Sequence, residues 1–330
     1  MFLQKGEIMQ SSNDSKRPLL YLFALLLAVI LASGIALYTS GPDSVIAGKV
    51  SAATAKAFTG GTFEASGVVH VPGTSSILFI DDGKPNEVFW MELDEGGSQR
   101  GSIKAVNLGV SIEDPEGITT DGTYFYIVSS LSRSKSSGQA GIVRFKFNPG
   151  SQTIEDAQTV GELKQMLVNN VNELRDMGAV KAKDDGINIE AIAWDPAQSR
   201  LLLGLRSPVI DGHALVVPLK LSETSGQFSI QQPKPEGIEA IRLALGGQGI
   251  RSMEYDDKSK LFHIIAGATE SQDKNDFKLW EWKGDAGQTG LRDVATLDRK
   301  LKPEGITRAS VGANEFKFVV FDTSKYLKMP

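Results

Sequence analysis

The sequence contains no cysteine, which removes disulfides, thiolate nucleophiles, cysteine metal sites and acylation at a cysteine from consideration. Histidine is scarce: His70, His213 and His263 are the full set, too far apart for HExxH or a comparable ligand pair. A histidine-rich metal site would have to be assembled by the fold, and a lone histidine in a strand is more often a packed or exposed residue. Positive charge is not in excess, since 35 Lys and Arg stand against 40 Asp and Glu for a net charge of -5. The charges are interspersed, so no basic stripe exists to neutralise a phosphate backbone, and nucleic acid is excluded as a partner. No GxSxG elbow or Ser-His-Asp order supports a covalent serine route. What remains is globular, with 41% hydrophobic and 23% charged residues in a chain of 330, enough for one large all-β domain with its own core.

One long hydrophobic run is present. Leu19 to Tyr38 is uncharged and, at about 1.5 Å per residue, matches the hydrocarbon thickness of a bilayer. Lys16 and Arg17 abut its start while the next positive charge is Lys49, so the bias places the amino terminus on the cytoplasmic side and exports the rest. The expected organisation is a tail over 1–17, a transmembrane signal anchor over 18–39, a juxtamembrane segment over 40–60 and a folded domain over 61–330. A cleaved signal peptide is the alternative, although Ala53-Thr54-Ala55 sits far downstream for a cleavage site. On this reading the partners are the inner membrane, through the helix, and a small anionic ligand or an envelope protein. The location is a bacterial cell envelope, with the domain on the periplasmic side.

From Gly60 onward five boxes align: Glu64-Ala-Ser-Gly-Val68, Asp114-Pro-Glu-Gly-Ile118, Asn188-Ile-Glu-Ala-Ile192, Gly249-Ile-Arg-Ser-Met253 and Lys302-Pro-Glu-Gly-Ile306. Their fourth column is always Gly, Ala or Ser, as expected where neighbouring backbones approach closely. Each box leads through a turn into an apolar β-rich run, such as Tyr124 to Val128 or Leu201 to Leu205, and then into a third strand ending apolar, charged, apolar, such as Phe145-Lys146-Phe147. Fourth strands fit Ile103 to Leu108, Thr153 to Val160, Glu239 to Leu245 and Leu291 to Leu297. Four-stranded units repeating every 40–50 residues or so predict an all-β fold, a β-propeller. Five blades follow, the last completed by a strand from within Ser44 to Phe58. Lys234-Pro-Glu-Gly-Ile238 mimics the box without a following hairpin; counted as a repeat, it would make six blades. Between the second and third boxes, Leu163, Met166, Leu167, Val171, Leu174 and Met177 recur at helical spacing, which predicts an inserted helix over 162–177.

The boxes, with GLRSP at Gly204 to Pro208 and IAGATE at Ile265 to Glu270, resemble those of an uncharacterised bacterial family of exported propeller-like proteins of unknown function. More distantly they are similar to phytase-like propellers, some labelled esterase-like. The nearer resemblance implies a propeller and no catalytic residue. The distant one implies calcium-assisted attack on phosphate or other esters.

In an antiparallel hairpin the start of the first strand and the end of the second share an edge, so five hairpins gather ten strand ends around one mouth of the channel. Glu64, Ser66, Asp114, Glu116, Glu190, Arg251 and Glu304 come from the starts; Asp81, Asp82, Ser129, Ser130, Arg206, Thr269, Glu270 and Asp322 come from the ends, with Arg308 a further candidate neighbour. Carboxylates suit Ca²⁺ or Mg²⁺, and arginine forks suit a phosphate or carboxylate. The candidate catalytic set is Glu116, Glu190, Glu304, Arg206 and Arg251; the candidate calcium ligands are Glu64, Asp81, Asp114, Glu116, Glu190 and Glu304. In such a site the ion would activate water or polarise an ester while an arginine stabilises the leaving oxygen. An equally weighted structural reading has the glutamates pairing with Arg251 between tightly packed inner strands. Asp256-Asp257 reads as turn chemistry. Trp90, Trp194, Trp280 and Trp282 read as blade packing. Two functions stand: a cation-assisted hydrolase of phosphate or carboxylic esters, and a non-catalytic ligand- or protein-binding scaffold.

Overall fold

A computed structural model describes residues 49–132, 140–269, 275–287 and 290–330. The hydrophobic run Leu19 to Tyr38 and Glu270 lie outside the described residues. Among the described residues no helix is long and apolar enough to cross a membrane.

The chain forms the five-bladed propeller that the boxes predict. From inside outward, blade one is Ala65–His70, Ser76–Asp81, Glu87–Leu93 and Gln99–Asn107; blade two is Pro115–Thr120, Phe125–Ser129, Ala140–Asn148 and Thr153–Gly161. Blade three is Asn188–Asp195, Arg200–Ser207 and Ala214–Thr224, edged by Gln227–Ile230 and Ile241–Leu243. Blade four is Gly249–Asp256, Leu261–Gly267, Phe277–Trp282 and Arg292–Leu297, and blade five is Pro303–Val311, Asn314–Phe321 and Lys325–Met329.

The missing outer strand of blade five comes from the start of the chain. Lys56–Ala57 pairs antiparallel with it, Lys56 opposite Tyr326 and Ala57 opposite Lys325, so the ring closes between the two ends of the domain. Lys49–Val50 adds a short parallel strand to blade four, which the repeat pattern does not announce. Phe58 locks the closure by stacking on Phe79 at 5.1 Å and tilting against Tyr326 at 5.2 Å.

Blade three explains the false box. Pro218, in its third strand, has no N–H to donate outward, and proline tends to break a ladder in this way. The outer edge accordingly splits into two short strands on either side of it. The Lys234 to Ile238 turn belongs to the connection between them, and Ile238 docks there by donating its N–H to Asn170 O at 2.7 Å. The inserted helix is shorter than the periodicity implies: Leu163–Asn170 is α-helical, Val171 is extended and Asn172–Leu174 is a 3-10 turn. Leu163, Leu167, Val171 and Leu174 still face the core between blades two and three.

Five apolar clusters fill the five spaces between blades. The small fourth column sets how closely the inner strands approach. A Cβ added to Gly117 would lie 2.9 Å from Ile192 N, and one on Gly305 2.9 Å from Val68 N, both inside backbone contact distance.

Candidate functional site: an acidic mouth braced by two arginines

Every inner hairpin carries a bulge at the same point. The pairing skips Ser66, Glu116, Glu190, Arg251 and Glu304 in turn, so the third column of each box is the extra residue in its strand. A bulge re-aims the side chain it carries and disrupts the local ladder. Repeated around the ring, it gathers one polar side chain per blade at one end of the channel. Alternating hydrophobicity gave no sign of these bulges; the polar third column was their sequence trace.

Three of the five bulge residues form one ionic network. Arg251 donates Nε–H to Glu304 Oε2 at 2.9 Å and pairs through Nη2 with Glu304 Oε1. Its Nε also lies 2.9 Å from Glu190 Oε2, an oxygen that is buried and accepts no hydrogen bond. Glu190 Oε1 accepts from Arg206 Nη1 at 2.8 Å and from Asn188 Nδ2 at 3.0 Å. Arg206, at the end of the otherwise apolar Leu201 to Leu205 run, is held further by Nε–H bonds to the carbonyls of Ala268 and Thr269. Glu190, Arg251 and Glu304 are 3%, 8% and 7% exposed, so these charges are sequestered from water and depend on one another. Burial opposes the charge on Arg251, but Glu190 and Glu304 outweigh it and raise its pKa. Burial, more than the opposing pull of Arg251, lifts Glu304 to about 7.

Glu116 stands apart. Among the described residues it makes no hydrogen bond or ion pair, and burial together with the charges of Glu190, Glu304 and Asp114 raises its pKa well above the usual carboxylate range. It keeps a small solvent-accessible edge. Beside it, one oxygen each of Asp82, Asp114 and Glu116 lie within 4.8 Å of one another, a spacing that a single hard cation can bridge. Asp82 is lifted to about 6 by burial and by Glu64, Asp81, Asp114 and Asp322, and its Oδ1 is buried without a partner. Asp114 is oriented by Ser130, whose hydroxyl donates to Oδ2, and by Ser132 Oγ at 2.9 Å.

The predicted candidates thus divide. Asp114 and Glu116 meet at the cation-sized cluster, with Asp82 completing it, and Glu64 is exposed nearby. Asp81 spends both oxygens on the main chain, accepting from Glu64 N and Gly83 N at 3.0 Å each, so it serves the hairpin. Glu190 and Glu304 belong to the arginine network. Ser66 turns its hydroxyl onto Pro115 O at 2.6 Å. Arg308 is not at this mouth: it bonds Asp256 at 2.6 Å and Glu315 at 2.5 Å at the far end of the inner strands. The contributions of Ser132 and Asn188, neither among the predicted strand ends, emerge only from the folded geometry.

The longest connection in the ring, the stretch 162–187 bearing the helix, lies at the acidic end. In repeat folds, insertions that collect on one face commonly mark the binding face.

Fold and site define the class, a five-bladed propeller with an acidic, arginine-braced mouth. By sequence the chain belongs to the DUF3616 family, described as protein of unknown function, whose model matches residues 147–325. No curated protein matches it. Solved structures with a similar course include hydrazine synthase of Kuenenia stuttgartiensis, with 11% identity, a TM-score of 0.34 and coverage of 77% of this chain and 63% of that one. A structural genomics protein of unknown function from Bacteroides thetaiotaomicron VPI-5482 has 11% identity and a TM-score of 0.39, covering 83% and 72%. The WD40 repeats of RRP9 have 9% identity and a TM-score of 0.40, covering 82% and 90%. The chain spans less than two thirds of the hydrazine synthase chain, and likeness at this level says nothing of activity.

Proposed function

We propose that the acidic mouth binds a divalent, oxygen-seeking cation of the Ca²⁺ class at Asp82, Asp114 and Glu116, and through it a small anionic ester, a phosphate ester or carboxylic ester, that it hydrolyses. The supporting observation is the convergence of one oxygen each from three carboxylates within 4.8 Å of one another, two of them carrying raised pKa values that a bound cation would bring down. The cation would supply Lewis acidity and a more acidic water. Of the protein groups, Arg206 is 22% exposed at its side chain and braced by Glu190, so it is the arginine open to a ligand anion. Arg251 is enclosed and holds Glu190 and Glu304 in place. A sequence-based part of the same proposal puts the propeller outside the cytoplasmic membrane, anchored by Leu19 to Tyr38.

A second reading, a non-catalytic binding scaffold, is favoured by the prior engagement of both arginines with carboxylates, which weakens their pull on a leaving group. Melting curves of the full-length chain with Ca²⁺ or chelator, alongside a panel of phosphate and carboxylic esters, separate the two. Hydrolysis that needs Ca²⁺ and is lost in Glu116→Gln and Asp82→Asn supports the enzyme. A Ca²⁺-dependent rise in melting temperature without turnover supports the scaffold. A melting temperature indifferent to Ca²⁺ removes the cation site itself.

A further inference from the structure

The opposite end of the channel opens into a cavity of about 520 Å³ lined from all five blades, within the size range of small-molecule sites. The inner strands are stitched together there by a recurring bond, in which the sixth residue of a box-containing strand accepts the main-chain N–H of the seventh residue in the next blade. Thr119 Oγ1 accepts from Trp194 N at 3.2 Å, and Thr307 Oγ1 accepts from His70 N at 3.0 Å. In blade four the sixth residue is Glu254, whose Oε1 accepts from Arg308 N at 2.6 Å and from the Thr307 hydroxyl at 3.0 Å. Two threonines show that the stitch requires one oxygen. The second oxygen of Glu254 is surplus to it: Oε2 is buried and has no hydrogen-bond partner among the described residues, a costly arrangement unless something else uses it.

We propose that this cavity binds a small organic cation with an N–H donor, a primary or secondary ammonium, for which Glu254 Oε2 is the counter-ion. The surroundings match that class of ligand. Asp121, Asp257 and Glu315 line the cavity with Glu254. Arg308, the arginine in the lining, is already bonded to Asp256 and Glu315, and Lys258 pairs with Glu315 from outside the lining. Burial lowers the pKa of His70, so near neutral pH the ring adds no positive charge. Trp194 and Tyr255 offer aromatic faces, which attract cations, and Trp194 is held by stacking on Tyr126 at 6.3 Å. A hard metal ion fits poorly, since it seeks six to eight oxygens and one is unengaged at Glu254. Burial is the main reason that Glu254 holds its proton to about pH 8; an arriving ammonium displaces that proton and takes the carboxylate.

Calorimetric titration of the full-length chain with benzylammonium chloride at pH 8 tests this, with tetramethylammonium chloride and CaCl₂ as comparators. Saturable benzylammonium binding is expected, with affinity falling roughly tenfold per unit below about pH 8 and heats that depend on the buffer because a proton is released. Glu254→Gln and Glu254→Thr both keep the inter-blade acceptor, so both should fold, with melting temperatures near that of the wild type, and bind at least tenfold more weakly. Glu116→Gln, at the other mouth, should bind as the wild type does, which separates failure here from failure of the cation site. No benzylammonium binding, equal binding of tetramethylammonium, or unchanged affinity in folded Glu254→Gln would each overturn the proposal.

Discussion

Replacing Arg251 with methionine removes the one cation among the described residues that touches both Glu190 and Glu304 while keeping much of the side-chain volume. The two carboxylates are 3% and 7% exposed, so water cannot take the place of the guanidinium. Removing one partner from a buried ionic group costs about 3–5 kcal/mol, because a charge is left uncompensated. At roughly 2–4 °C per kcal/mol for a large domain, the melting temperature should drop by about 10 °C at pH 8. The pH dependence gives the sharper signature. Glu304 already titrates near 7 with its arginine present; without it that carboxyl climbs further, and a folded-state pKa above the unfolded value means stability that is present at low pH and lost as pH rises. The defect should therefore shrink markedly at pH 5, and adding Glu304→Gln should recover part of it at pH 8. Thermal unfolding of the full-length variants at both pH values reads this out. A loss under about 1 kcal/mol at pH 8, or an equal loss at pH 5 and pH 8, would refute the idea that Arg251 is the charge brace of the mouth.

Three further outcomes are expected. Gly117→Ala places a Cβ 2.9 Å from Ile192 N, and since backbone cannot step aside cheaply it should cost about 1–3 kcal/mol in denaturant unfolding. Phe58→Ala empties a position that is 6% exposed and in contact with Phe63, Phe79 and Tyr326; the cost should be about 3–5 kcal/mol, with early loss of hydrogen-exchange protection in Lys325–Met329. Calcium affinity, followed by titration, should weaken by about tenfold between pH 7 and pH 5 from Asp82 alone, because a carboxyl with a pKa of about 6 must give up its proton to bind the ion. An affinity that stays flat over that range would remove Asp82 from the ligand set.

The blade count, the hairpin boundaries and the closing strand were legible because each rests on local pattern: turn residues at fixed offsets, apolar alternation and a small fourth column. The gathering of Glu116, Glu190, Arg251 and Glu304 at one mouth was also legible, because strand polarity alone assigns ends to faces. Which of them pair was not. Asp81 and Asp82 are adjacent and chemically alike, yet one turns into its own hairpin and the other into the cluster, a choice made by backbone direction rather than residue type. Arg308 illustrates the same limit. Counted as a neighbour of the box, it lies four residues past Glu304 along a strand that carries it away to the other pole.

That separation of poles follows from the repeat itself. Each inner strand presents a bulged third residue at one end and a sixth residue at the other that can stitch it to the next blade, and a blade tolerates variation wherever the architecture needs only part of a side chain. At the third column only the bulge recurs, so Ser66, Glu116, Glu190, Arg251 and Glu304 can differ freely in charge. At the sixth, one oxygen is enough where a stitch is made, as Thr119 and Thr307 show, and Val69 and Ala193 show that some blades dispense with it. Charges that exceed these minimal demands are where function can reside without weakening the ring. By that criterion Glu116, unpaired among the described residues at a bulge that elsewhere accepts a serine, and Glu254, with an oxygen beyond what the stitch uses, are the carboxylates of these two columns whose presence packing does not explain.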